Sequence, residues 1–272
     1  VKKLLMKLTE LTELNNMIKN EELLRQHAPA AFATTPEEGR VSDRYSFLPT
    51  TDILEILQDE GWTAWSAQQV NARTWSKDHA KHLIRLRHED LNMDSFGVGD
   101  SFPEMLLMNA HNGLGSYDLM GGIFRMVCSN GMVVSENDFG KIHIRHIGFE
   151  AKQVVEASKA LILNASKVSE KINSWQNIEL SPRSKKDFFA DAAKIRFDNP
   201  DDNIVQSLGA IRRPGDVGDD LWRVFNVAQE NLIRGGFRNG TTKRMVRPIS
   251  NIQKDIKFNA ELWDLASTYS KG

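Results

Sequence analysis

Several arginines occupy positions that read as the interior of β-strands. His82-Leu83-Ile84-Arg85-Leu86-Arg87 alternates polar and apolar residues, and so does Lys141-Ile142-His143-Ile144-Arg145-His146. Gly122-Ile123-Phe124-Arg125-Met126-Val127-Cys128 places one cation in an otherwise apolar or small run. Successive strand side chains point to opposite faces, so Arg85 and Arg87 share a face, as do Lys141, His143 and Arg145. Guanidinium groups on one face of a sheet suit phosphate contact, and equally suit cross-strand ion pairs on a solvated face. Arg125 needs a partner, either an acidic side chain or a ligand.

A second basic cluster follows at 231–254. Between Glu230 and Asp255 there is no acid, while Arg234, Arg238, Lys243, Arg244, Arg247 and Lys254 all fall there. Gly235, Gly236 and Gly240 let backbone amides approach an anion. Gly235 and Gly240 have the spacing of a phosphate-binding P-loop, but Thr241 stands where that motif needs lysine. The segment also follows a helix rather than a strand, so a P-loop is rejected. No dinucleotide-binding glycine fingerprint follows a strand either.

Other constellations carry less. Cys128, the only cysteine, suits a nucleophile beside His143 or His146, but more simply a small buried residue on an apolar strand. His143 and His146 face opposite sides of one strand and cannot share a metal there. No zinc-site spacing appears. Acids at 198–202 and 216–220 fit helix starts. No catalytic residue, cofactor or metal is assigned. Among the aromatics, Phe237 in the glycine-rich basic segment is the best candidate for an exposed stacking surface.

The elements that must position these residues follow from periodicity. Residues 1–28 read as an amphipathic helix and 29–46 as a loop. Asp52 and Glu55 have capping-pair spacing at the start of a helix that ends near Gly61. Strands are predicted near 62–72, 81–88, 104–110, 120–128, 131–135 and 141–146, with a hairpin turn at Asn130-Gly131. Helices are predicted from Glu150 to Trp175, from Ser181-Pro182, from Asp219 to Arg234 and from Asn251 to Ser270. The fold class is α+β: a mostly antiparallel sheet in the first half, flanking helices, and a helical C-terminal half. The division is an N-terminal segment 1–46 and one α+β domain over 47–272, sheet-rich at 62–146 and helix-rich at 150–271.

Composition sets the limits. The 272 residues are 40% hydrophobic and 26% charged, with a net charge of −1. Affinity for a polyanion must therefore come from a local patch. A single cysteine fits a reducing compartment. No apolar run approaches the roughly 20 residues of a membrane span, and a secretory signal is not expected. The expected location is the cytoplasm.

On these residues the chain resembles a phage/plasmid-like family catalogued as a domain of unknown function (number 932). The matching blocks are Arg44 to Thr50, Lys81 to Arg87, Leu107 to Gly113, Gly122 to Gly131 and Ile144-Arg145-His146. Asp220-Leu221-Trp222, Gln229-Glu230-Asn231, Gly235-Gly236 and Leu262-Trp263 continue the match. It covers roughly 40–270, and Phe-Arg-x-x-Cys-x-Asn-Gly is its most specific block. The resemblance implies a setting on prophages and conjugative plasmids. The layout is also loosely similar to that of single-strand annealing proteins, which bind DNA along a basic groove as rings.

The expected function is nucleic-acid binding without catalysis, as an oligomeric single-strand DNA binding or annealing protein. Arg85, Arg87, Arg125 and Arg145 would contact phosphates, and Arg238, Lys243, Arg244 and Arg247 would close over the strand. The alternative is a protein-binding module that inhibits a host defence or replication factor.

Overall fold

The computed structural model describes residues 21–41, 45–71, 76–91, 101–113, 117–125, 130–133, 141–144 and 150–271. Two compact units divide the chain. The first holds residues 1–92, 104–120 and 141–162, and the second 93–103, 121–140 and 163–272.

The first half of the chain forms an antiparallel sheet. Its strands are β1 (Trp62–Gln69), β2 (His82–His88), β3 (Ser101–Asn109) and β4 (Tyr117–Arg125), hydrogen-bonded in chain order. Further strands β5 (Asn130–Val133) and β6 (Lys141–Ile144) both pair with β4. β6 lies along Tyr117–Met120 and β5 along Gly122–Arg125. The predicted mostly antiparallel sheet is thus present, with strand limits close to those expected. β2 is buried on both faces, apart from a half-buried Arg87. Helix α1 (Thr50–Asp59) buries Ile53 and Leu57.

Two local expectations are corrected. Asn130 and Gly131 do not make the hairpin turn: they pair with Arg125 and Phe124 inside the β4–β5 ladder. The connection is therefore 126–129, outside the described residues, and so is Cys128. Tolerance of positive φ permits a turn but does not compel one when a strand partner is available. Nor does Asp52 cap α1. The cap residue is Pro49, with no side-chain hydrogen bond, and Asp52 sits in the first turn.

Helix α2 (Ala151–Gln176) carries Val154, Ala157, Leu161, Ala165, Val168, Ile172 and Trp175 buried at helical spacing. In the second unit follow α3 (Pro182–Arg196), α4 (Asp202–Leu208), α5 (Leu221–Arg234) and α6 (Ile252–Tyr269). Ser181, Asp201, Asp220 and Asn251 cap these four, each accepting a backbone N–H three residues on. The core of this unit is aromatic. Trp175 and Trp263 have ring centroids 4.6 Å apart, and Trp222 stacks on Phe225 at 5.6 Å.

Helix α5 is buried almost all round, including Asn226, Gln229, Glu230 and Asn231. Buried polar groups need partners, and these find them. Gln229 Nε2 donates to Asn259 Oδ1 at 2.8 Å, and the Asn231 amide donates to the Ala210 carbonyl at 2.8 Å. Glu230 accepts from Arg213 at 2.8 Å. The Gln-Glu-Asn block therefore fixes α5 to α6 and to the connection that follows α4. Among the described residues no helix is long and apolar enough to cross a membrane.

Candidate functional site

The basic segment after α5 is a short hydrogen-bonded finger. It starts at Gly235, whose φ of 59° favours glycine. A Cβ at Gly235 would lie 2.5 Å from the Val246 carbonyl oxygen, so this close return of the chain requires glycine. Gly236 N–H donates to Val246 O and Val246 N–H to Phe237 O, both at 2.8 Å. Asn239 N–H donates to Arg244 O at 2.9 Å. At the tip, Asn239 Oδ1 accepts the amides of Thr241 and Thr242 at 3.0 and 2.7 Å, an Asx turn. Thr241 Oγ1 then donates to Asp201 Oδ2 at 2.8 Å, tying the tip to the start of α4.

This framework presents cations outward. Arg238, Lys243, Arg244 and Arg247 are all exposed. Phe237, expected to be exposed, is half-buried, with its ring centroid 6.3 Å from that of Phe197.

The base of the finger uses arginines that sequence reasoning missed. Arg196 donates to the carbonyls of Leu232 and Arg247, and Arg212 donates to that of Gly235. A helix C-terminus leaves carbonyls without intrahelical partners and carries partial negative charge, so guanidinium groups fit there. Arg196 and Arg212 lie 36 and 23 residues from the carbonyls they satisfy at the end of α5, and no local spacing announces that.

The strand arginines behave differently. Arg85 is buried and ion-paired with the fully buried Glu104 of β3. Leu106 faces Arg85 across the ladder, so Glu104, two residues along, shares the face. Burial pushes the Glu104 carboxyl up, and the Arg85 guanidinium opposes that shift. The Arg87 guanidinium lies 3.8 Å from the Trp65 ring centroid, a cation–π contact. Arg85 and Arg87 do share a face, as alternation predicts, with Arg85 buried and Arg87 half-buried. For Arg85 the sheet supplies the cross-strand ion pair that the sequence set beside phosphate contact, with Glu104 as the counter-charge. Arg125 pairs through its backbone with Asn130 in β5, and its side chain is outside the described residues. Arg145 lies outside them altogether, as does His146. Arg85 and Arg87 belong to the first unit, and Arg238, Lys243, Arg244 and Arg247 to the second.

A third centre was not foreseen. Thr50 Oγ1, at the first turn of α1, lies 3.0 Å from His82 Nε2, from His111 Nε2 and from Asn109 Nδ2. All four residues are buried. His82 Nδ1 lies 3.0 Å from the Ala80 carbonyl, which can only accept. Nδ1 therefore carries the proton, and Nε2 accepts from the Thr50 hydroxyl. Thr50 in turn accepts from Asn109 and from His111 Nε2–H, which fills its hydrogen-bonding capacity. Tyr117 donates its hydroxyl to the Leu48 carbonyl. Burial lowers the pKa of His82 from 6.5 to about 4, so it is neutral at physiological pH. The centre joins α1 to the ends of three strands.

These centres fall within one conserved-domain match. The family model described as Domain of unknown function (DUF932) matches residues 38–263. The chain belongs to the DUF932 family. Two relatives come from Escherichia coli strain K12. UPF0380 protein YfjQ is 34% identical over 256 residues, covering 92% of this chain and 91% of the relative. UPF0380 protein YafZ is 34% identical over 254 residues, covering 92% and 90%. No solved structure matches the chain significantly. The DUF932 match includes the buried threonine–histidine centre, the Arg85–Glu104 pair and the whole basic finger.

Proposed function

We propose that this DUF932 protein is a non-enzymatic nucleic-acid-binding protein of a mobile genetic element, working in the cytoplasm as an oligomeric single-strand DNA binding or annealing factor. The observation that carries the reading is the finger. It holds four exposed cations, Arg238, Lys243, Arg244 and Arg247, in a stretch without a single carboxylate. Its own backbone bonds and the Thr241–Asp201 tether hold it in shape. A preformed cationic finger loses less entropy on meeting a phosphate backbone than a disordered one.

The magnitude is testable. Four phosphate contacts to a single strand give a slope of about −2.8 in log affinity against log salt. Affinity should then fall about 50-fold between 50 and 200 mM salt. Anisotropy titration of a labelled single-stranded oligonucleotide measures this directly. Arg244→Ala should weaken binding and reduce the slope by about 0.7. Affinity that stays flat with salt would remove the reading. Met245, 52% exposed among these cations, favours a second reading, an inhibitor of a host defence or replication factor anchored by this finger. Absence of oligonucleotide binding at low salt would direct the search to that protein partner.

A further inference from the structure

Helices α3 and α4 border a surface groove of about 510 Å³. That is within the range of small-ligand sites, roughly 300–1,000 Å³. Its lining is mixed in a specific way. Phe189 of α3 contributes a half-buried aromatic ring, and Lys185 and Lys186 contribute cations along the same helix. From α4 come Asp202 and Gln206, one helical turn apart and so on one face. Gly209 closes the groove. A Cβ there would stand 3.0 Å from Phe189 Cε2 and 3.1 Å from Cδ2, so glycine is what lets the ring lie where it does.

The groove and the finger meet at one element. Asp201, the cap of α4, holds Thr241, and a Cβ at Gly240 would approach Asn203 Cβ to 3.0 Å. The finger tip thus rests on the first turn of the helix whose next residues line the groove. Seven residues of α4 span about 10 Å, so a strand held at the finger needs little extra length to reach the groove.

We propose that the α3–α4 groove takes one base of the bound single strand, stacked on Phe189 and read at its edge by Asp202 and Gln206, with cytosine favoured over thymine. The inference rests on the nucleic-acid reading above. Every base offers a π-face to an aromatic ring. The edge decides among bases. Cytosine presents an amino group, which a carboxylate accepts, while thymine presents a carbonyl there, which a carboxylate repels. Gln206 can donate to the adjoining acceptors of cytosine. Lys186, exposed, is placed for the attached phosphate, and Lys185 is already ion-paired with Asp219.

The test compares oligo-dC, oligo-dT and an abasic oligomer of equal length in anisotropy titrations with the full chain. Wild-type protein should bind oligo-dC about tenfold tighter than the abasic strand and measurably tighter than oligo-dT. Phe189→Ala should reduce oligo-dC to the abasic level while keeping the salt slope. Asp202→Asn, at an exposed position, should level dC against dT without touching the fold, which keeps the test valid if Phe189→Ala unfolds. If both variants retain the wild-type ratios while Arg244→Ala still weakens binding, the groove inference fails and the finger reading stands. If no strand binds at low salt, both fail together.

Discussion

Thr241 Oγ1 donates to Asp201 Oδ2 at 2.8 Å, and the other oxygen of Asp201 accepts the Ile204 amide at 2.9 Å. One carboxylate therefore caps α4 and holds the tip of the basic finger. Lys243, two residues beyond Thr241, takes a positive φ of 58°, unusual for a side chain with a Cβ. Lys243 N–H donates to the Asn239 carbonyl at 2.9 Å, and its own carbonyl accepts from Arg238 at 3.3 Å, inside the loop that the Asx turn and the Asp201 tether close.

Asp201→Ala should therefore loosen the finger as well as the helix. The Ile204 amide, then the Thr241 hydroxyl, holds the Asp201 carboxyl below its usual range. A depressed carboxylate pKa stabilises above the unfolded value and loses that contribution as pH falls through the folded one. Protection of the Thr241, Thr242 and Ile204 amides from exchange, relative to their intrinsic rates, should fall together in Asp201→Ala, and in wild type only at strongly acid pH. Loss of protection at Ile204 alone would show that the tether does not hold the finger.

His82 predicts a second pH dependence. Its folded pKa is about 4, against 6.5 unfolded, because burial disfavours the imidazolium. Between those values the unfolded chain binds more protons than the native one. The contribution is full above about pH 6.5 and is lost as pH falls toward 4, amounting to roughly 3 kcal/mol. Denaturant unfolding of wild type and His82→Gln across pH 4–7 measures it. The variant should be less stable at pH 7 and its curve flatter through this window. Parallel curves would assign the acid sensitivity to another group.

The contrast between these two centres shows what a chain reveals by itself. The strands at 82–88 and 141–144 were legible because alternation is local. The starts of α3 and α6 were legible because Ser181-Pro182 and Asn251 carry their own capping chemistry. The finger was legible as charge, since an acid-free run needs no fold to be seen. The threonine–histidine centre was not, because residues 50, 82, 109 and 111 meet only through sheet register, with His82 opposite Asn109. The same limit applied to Arg85: alternation gives its face, but only the β2–β3 pairing supplies Glu104. The Asn130-Gly131 turn failed for a related reason, since turn propensity competes with a strand partner that the local sequence does not name.

That pairing makes the role of Arg85 measurable. Arg85 and Glu104 are both buried, and the Arg85 Nη1 donates to Glu104 Oε1. Removing one member of a buried ion pair leaves the other uncompensated, which costs about 3–5 kcal/mol. Arg85→Ala should therefore lower stability strongly. Replacing both members by apolar residues of similar volume, Arg85→Met with Glu104→Leu, should restore much of the loss, since the desolvation cost disappears with the charges. Half-buried Arg87 lies over Trp65, and both also interact with Glu104, so the double variant removes those interactions as well. Chemical unfolding gives the stabilities, and oligonucleotide titration of the folded double variant gives the second readout. Wild-type affinity and salt slope in a restored double variant would establish Arg85 as a structural cation. A lower slope in a variant of full stability would return Arg85 to the phosphate-binding surface.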